Sequence, residues 1–314
     1  MSKIATLLYI FFNALAFFFI SIFYYLSLES SYPSVINVPR GDVSAIIAHF
    51  KKNNLDINRF DKFLLRFFGH PQSGWIEITP SDSINRTTTK GSFLYQLTTN
   101  KAALKTITLL PGETMHFFIE HINEVLGLDK QALWDAYNEF AKYPDGVIYP
   151  NTYKVPLEIG PRYLMNHLIS QSMREHKKNA IKILGRYDEK QWFNFVTIAS
   201  IVQKEAANID EMPLVSAVIY NRLKAKMPLQ MDGSLNYGKF SHSKVTPERI
   251  RKDKSVYNTY LNRGIPPYPV GSASLDAILA TIRPASVDYL YFVRDRSTGK
   301  HTFSKTYKEH KSNF

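Results

Sequence analysis

The chain has 314 residues, a formal charge of +12, 14% aromatic residues and no cysteine. Its length exceeds one typical domain, and the lack of cysteine excludes a disulfide framework and any thiolate metal site without choosing between cytosol and export. Lys and Arg are scattered, with modest clusters such as residues 249–254 (RIRKDK). The positive balance therefore suits an anionic membrane surface or an acidic polymer rather than nucleic acid.

Residues 4–28, IATLLYIFFNALAFFFISIFYYLSL, carry no charge. At a helical rise of about 1.5 Å per residue this run spans roughly 37 Å, enough to cross a hydrocarbon core of roughly 30 Å with some tilt. A cleavable signal has a shorter apolar core and a small-x-small exit, which LSLESSYP does not supply. The run reads as a retained transmembrane anchor, with residues 1–3 a cytoplasmic tail. Lys3 and the terminal amine give a thin positive-inside signal for that orientation.

After a polar link at residues 29–34, two segments echo each other. INVPRGDVSAIIAHF (36–50) and ITLLPGETMHFFIEHI (107–122) both read strand, proline, glycine, acidic residue, amphipathic helix. Gly41 and Gly112 suit the turn, and Asp42 and Glu113 stand where a helix N-terminus favours negative charge. Between the echoes, periodicity predicts a helix over 57–68, a strand at GWIEIT, then a loop leading into another helix. Residues 35–106 read as one small α+β unit with the second echo as its continuation; two unrelated strand–helix turns are the alternative.

Further on, a helix ends near Pro144, and DGVIYPNTYKVP reads as a rigid aromatic turn rather than a regular element. Three helices follow, in GPRYLMNHLISQSMREHKKNAIKIL, DEKQWFNFVTIASIVQKEAAN and MPLVSAVIYNRLKAKM. Beyond Pro228 tight turns alternate with short helices, and a strand (DYLYFVRD) with a hairpin-like return (GKHTFS) closes the chain. The nine histidines are dispersed, and neither metal-ligand spacing, a glycine-rich phosphate loop nor a nucleophile elbow is present. No cofactor is expected.

Chemistry concentrates in IASIVQKEA (198–206). At 100° per residue Glu205 shares a stripe with Ile198, Ile201 and Val202, whereas Gln203 and Lys204 point elsewhere. A carboxyl among such neighbours loses solvation, stays protonated near neutrality and suits general-acid cleavage of a glycosidic bond. The plain alternative is a helix-end glutamate paired with Arg or Lys. Downstream, Tyr220, Asn221 and Arg222 (VIYNRL), then Gln230 and Asp232 (MPLQMD), precede a Tyr-, Asn- and Pro-dense stretch holding Tyr257, Asn258 and Tyr260. Aromatic faces beside amides and hydroxyls can stack on and hydrogen-bond sugar rings, so these seven residues, Arg222 aside, are expected to line a carbohydrate cleft.

IASIVQKEA, PLVSAVIYNRL, MPLQMD, YNTYLNRGIPPYP and ASVDYLYFVRDRSTGKHTFSKTYKEH resemble the endolytic murein transglycosylase, or YceG-like, family. DGVIYPNTY looks like that family's Gly-x-x-x-Pro-x-Thr-Tyr turn, and LLPGETM resembles its second LysM-like segment. With the anchor, the likeness covers almost the whole chain in order. Two departures stand out: Ser272–Ala273–Ser274 replaces an Asn-Pro-Gly or Thr-Pro-Gly turn, and Gly233–Ser234 follows Asp232 where Pro-Thr is usual.

The resemblance implies an α+β protein: a transmembrane helix at 4–28, a LysM-like α+β region at 35–122, and an α-rich YceG-like catalytic domain at 123–314 with a short C-terminal β element. It implies a single-pass inner-membrane protein with its catalytic domain in the periplasm. The expected activity is cleavage of the MurNAc-β-1,4-GlcNAc bond of nascent peptidoglycan to 1,6-anhydro-MurNAc ends, with Glu205 as acid then base. The implied partners are glycan strands and a penicillin-binding protein synthase. Two other readings stay open: a hydrolytic muramidase using Asp232 as second carboxylate, and an anchored, non-catalytic wall-binding scaffold.

Overall fold

A computed structural model describes residues 3–82 and 84–313, and the chain divides into two compact units. The first comprises the described residues of Met1–Lys105 together with Val155–Ile159. It opens with α1 (Lys3–Ser27), a 25-residue helix with an 18-residue stretch of mean hydropathy 2.2, none of whose residues is buried. There follow β1 (Glu29–Ser31), β2 (Val35–Val38), α2 (Val43–Lys52), α3 (Arg59–Phe68), β3 (Gly74–Glu77), β4 (Thr87–Thr89) and α4 (Lys90–Thr99). The expected polar link at 29–34 is thus partly a strand, because Glu29–Ser31 pairs antiparallel with the threonine run of β4. Backbone pairing settles what composition alone leaves as a linker.

β2 and β3 pair antiparallel with Ile36 opposite Ile76. Their buried side chains join Ile46, Phe50, Leu64, Leu65, Phe93 and Leu97 in one core, and Ile22, Tyr25 and Leu26 at the end of α1 pack against it. Asp42 caps α2 by accepting from the Ala45 amide. Asn58 and Asp61 form a reciprocal capping box on α3. Asp61 is fully buried, and the ammonium of Lys90, itself buried, answers its charge at 3.5 Å.

β5 (Leu104–Thr108) follows α4, and the chain passes between units within β5 and its partner β6. The second unit is Thr106–Lys154 with Gly160–Phe314. It contains α5 (Met115–Leu126), α6 (Lys130–Phe140), the first three residues of β6 (Thr152–Pro156), α7 (Pro161–Leu184), α8 (Glu189–Glu205), α9 (Met212–Lys224), α10 (Asp232–Leu235), α11 (Pro247–Lys252), α12 (Leu275–Ile282), β7 (Tyr291–Arg294), β8 (His301–Ser304) and α13 (Tyr307–Ser312). Here the expectation of an irregular turn over YPNTYKVP is corrected. Pro150 and Pro156 bracket a strand instead of interrupting it, since a proline at a strand's end costs no ladder hydrogen bond.

α8, α9 and α12 pack on one another, as do α6 and α7. α8 begins at Asp188, which accepts from the Gln191 amide, and buries an unbroken run from Val196 to Val202. β7 and β8 form the expected C-terminal hairpin, with Tyr291 opposite Ser304.

Candidate active site

Glu205 is the last residue of α8. Ile198, Ile201 and Val202 on its stripe are all buried, and Glu205 is half-buried at the rim of that apolar face. Burial pushes its carboxyl up to about 7, against a partly opposing hydrogen bond from the Gly233 amide; nearby Asp232 raises it further and Arg222 pulls it down. The direct partner of the carboxyl is that amide, at 2.6 Å from Oε1, rather than a lysine or arginine.

Gly233 is the second residue of α10, where the first backbone N–H groups have no partner inside the helix. One of these donors is spent on Glu205. A Cβ at position 233 would stand 2.9 Å from the Lys204 Cβ and 3.0 Å from Oε1 of Glu205, closer than packed atoms tolerate. The Gly-Ser departure after Asp232 therefore has a local physical reason: this amide can reach the carboxyl only because its residue has no side chain.

The other sequence candidates divide by what they touch. Asp232 is exposed at the start of α10 and accepts from the Tyr260 hydroxyl at 2.6 Å. Gln230 is exposed, adopts a left-handed backbone (φ 51°) and donates its amide to the Thr259 carbonyl. Tyr220 is half-buried on α9, and that burial raises its hydroxyl pKa. Glu205, Asp232 and Tyr260 thus form one polar group carried by α8, α10 and the loop after α11.

Asn221 and Asn258 are committed to backbone instead. The Asn221 amide donates to the carbonyls of Val287 and Tyr289, each at 2.9 Å, and so fastens the C-terminal segment to α9. Asn258 is fully buried and donates to the carbonyls of Ile250 and Asp253 while accepting from the Tyr260 amide. It sets the loop that presents Tyr260. Tyr257 stacks on Tyr237 with ring centroids 4.4 Å apart. Both rings line a cleft of about 400 Å³ with Trp134, Asn138, Tyr143 and Asp145. Glu205 is not among the residues that line it.

Several charged groups of the same unit take partners that the sequence did not reveal. Asp145 is buried and accepts from the Met115 amide at 2.6 Å; burial pushes its carboxyl up to about 7. Lys204, expected to point away, is half-buried, donates to Ser241 Oγ at 2.8 Å and is brought down to about 8 by burial. Glu113 pairs with His242 across 2.8 Å. These residues come from segments up to 129 positions apart, which no spacing rule reveals. Arg222 was visible in VIYNRL; it is buried and holds the carbonyls of Leu290 and Leu229, each at 2.7 Å.

The Ser272–Ala273–Ser274 departure also has a defined local structure. Ser272 accepts from the Gly112 amide at 2.9 Å and donates its own amide to the Glu113 carbonyl at 2.8 Å, while Ser274 caps α12. A Cβ on neighbouring Gly271 would lie 2.9 Å from the Gly112 oxygen. Small residues here let the two loops meet backbone to backbone beside Lys204.

The YceG-like family model matches residues 36–314. The protein named endolytic murein transglycosylase from Bacillus subtilis (strain 168) is 28% identical over 312 residues, covering 88% of this chain and 82% of that one. A protein of the same name from Streptococcus pneumoniae serotype 2 (strain D39 / NCTC 7466) is 32% identical over 176 residues, covering 54% of this chain and 31% of its own length. A crystal structure of a yceG-like protein from Listeria monocytogenes superimposes with a TM-score of 0.55 at 22% identity, covering 90% of this chain and 99% of that one. That last likeness concerns the fold.

Proposed function

The chain belongs to the YceG-like family, and from that membership and the environment of Glu205 we propose that it is a membrane-anchored endolytic lytic transglycosylase acting on peptidoglycan. The observation that carries the reading is a carboxyl whose pKa burial raises to about 7, at the edge of a polar group that includes Asp232 and Tyr260. Such an acid holds a proton near neutrality and releases it to a leaving group.

In the proposed reaction Glu205 donates its proton to the oxygen bridging C1 of MurNAc and C4 of GlcNAc, and the C1–O bond breaks as the GlcNAc hydroxyl departs. The N-acetyl group of the MurNAc shields the positive charge developing at C1. The Glu205 carboxylate then removes the proton of the same sugar's C6 hydroxyl, whose oxygen bonds to C1 and closes the 1,6-anhydro ring. Glu205 ends protonated, as it began. The intramolecular nucleophile carries an effective molarity on the order of 10⁵ M or more when well oriented. One carboxyl therefore suffices where hydrolytic glycosidases use two.

Within this reading α1 is a single-pass anchor in the inner membrane and the catalytic unit lies on the periplasmic side. The first unit is a LysM-like glycan-gripping module, and a penicillin-binding synthase supplies nascent strands. The test is muropeptide mass spectrometry after incubating un-crosslinked glycan strands with the purified protein. Anhydro-MurNAc ends are expected from the wild type and none from Glu205→Gln, which keeps size but lacks the titrating proton. Products heavier by one water would instead identify hydrolysis, with Asp232 as second carboxylate. No turnover by the wild type would leave a glycan-binding scaffold.

A further inference from the structure

The helix α3 has three faces. Asp61, Leu64 and Leu65 are buried in the first unit. At 100° per residue Phe60, Phe63 and Phe67 fall within an arc of about 60°, and they are 38%, 45% and 74% exposed. Their rings contact in series, Phe60 to Phe63 at 6.3 Å and Phe63 to Phe67 at 5.1 Å. Arg59, Lys62 and Arg66 form the third face, next to the aromatic one. Three contiguous exposed phenylalanines flanked by cations are an unusual surface for water to cover.

The position of this helix says what covers it. Tyr25, two residues from the end of α1, packs its ring edge-on against Phe60 at 4.9 Å. The Tyr25 hydroxyl donates to Asp61 at 2.8 Å and accepts from the Asn58 amide at 2.7 Å, so three contacts join the start of α3 to the end of the apolar helix. The exposed aromatic face is thus continuous with a surface that is itself built for hydrocarbon. Aromatic side chains favour the membrane–water boundary, and basic residues beside them meet anionic headgroups.

We infer that α3 is an interfacial helix: Phe60, Phe63 and Phe67 rest in the boundary of the bilayer that α1 crosses, with Arg59, Lys62 and Arg66 against anionic lipid phosphates. The inference rests on α1 being a membrane span. It gives the first unit a second attachment to the membrane, one that limits how far and in which direction the unit tilts on its anchor.

The chain has no cysteine, so single-cysteine variants can each carry one nitroxide. The full chain, reconstituted in phosphatidylglycerol–phosphatidylcholine vesicles, is labelled at Phe12→Cys in α1 or at Phe63→Cys or Phe67→Cys in α3. Collisional relaxation by oxygen and by a water-soluble nickel chelate reports depth. The expected result is that both α3 labels are shielded from the chelate at least fivefold relative to the free label in buffer, at a shallower depth than Phe12→Cys. If Phe12→Cys lies in hydrocarbon while the α3 labels relax as in water, this inference fails and the anchor stands. If Phe12→Cys also relaxes as in water, the anchor reading itself fails. Dipolar broadening between α3 labels, lost on dilution with unlabelled chain, would assign the face to a second copy and overturn the lipid assignment.

Discussion

The backbone N–H of Gly233 meets Oε1 of Glu205 across 2.6 Å, joining residues 28 positions apart in the chain. This contact orients the carboxyl and favours its ionised form, opposing the burial that raises its pKa to about 7. A donor from backbone cannot be moved by a rotamer change, so the acid is aimed by the fold of α10. Its effect can be isolated by substitution.

Gly233→Ala keeps the N–H but adds a Cβ against Glu205 and Lys204, whereas Gly233→Pro adds the same atom and removes the donor. Both are expected to lower kcat, by roughly 10- to 100-fold if the carboxyl shifts by about 1 Å. Only Gly233→Pro should also move the alkaline limb of the pH–rate profile upward, by about one to two units, the equivalent of one charge-assisted hydrogen bond. Equal limbs in the two variants would show that the N–H does not tune the acid.

The proposed acid must be protonated to act. With Glu205 at about 7, kcat/KM is expected to hold below neutrality and to fall tenfold per unit above it. A profile in which activity instead rises through pH 7 to 9 would identify a group that works deprotonated, and Glu205 as first-step acid would be wrong.

Asp145 gives a stability prediction of defined sign. Burial raises its carboxyl from 3.8 to about 7 in the folded chain, so between these values the folded state binds more protons than the unfolded state. Its contribution is fully present below about pH 4 and is lost as pH rises through 7, at up to about 1.4 kcal/mol per unit. Asp145→Asn retains the oxygen that accepts from Met115 and should flatten the fall in urea midpoint between pH 5 and pH 8. An unchanged slope would show that Asp145 is ionised throughout.

Arg222 fastens the segment after α12 by donating to the Leu290 carbonyl and the loop after α9 by donating to the Leu229 carbonyl, and its guanidinium lies over the Tyr291 ring at 5.2 Å. Lysine cannot reproduce the forked donor geometry or the stacking. Arg222→Lys is expected to cost about 2–3 kcal/mol, since buried carbonyls lose charge-assisted bonds. Denaturant midpoints measure this, and a loss under 0.5 kcal/mol on the order of surface changes would contradict it.

What could be read from the sequence was what local periodicity encodes. The uncharged run before Glu29, the helices ending at Leu184, Glu205 and Lys224, and the closing hairpin all follow from apolar spacing and caps. The apolar stripe of Ile198, Ile201 and Val202 leading to Glu205 is likewise a property of one helix, which is why it was visible. Tertiary structure decided the remainder, because it depends on which distant segments meet. The same amide type in Asn221 and Asn258 reads as a sugar ligand in sequence, yet each is consumed by backbone carbonyls. Glu29–Ser31 and Thr152–Pro156 became strands only because partners far along the chain supplied their hydrogen bonds. Gly233 acquired its role from the absence of a side chain at one point of contact. A carboxyl's position on a helix is a local matter; its solvation and its donor are set by everything folded around it.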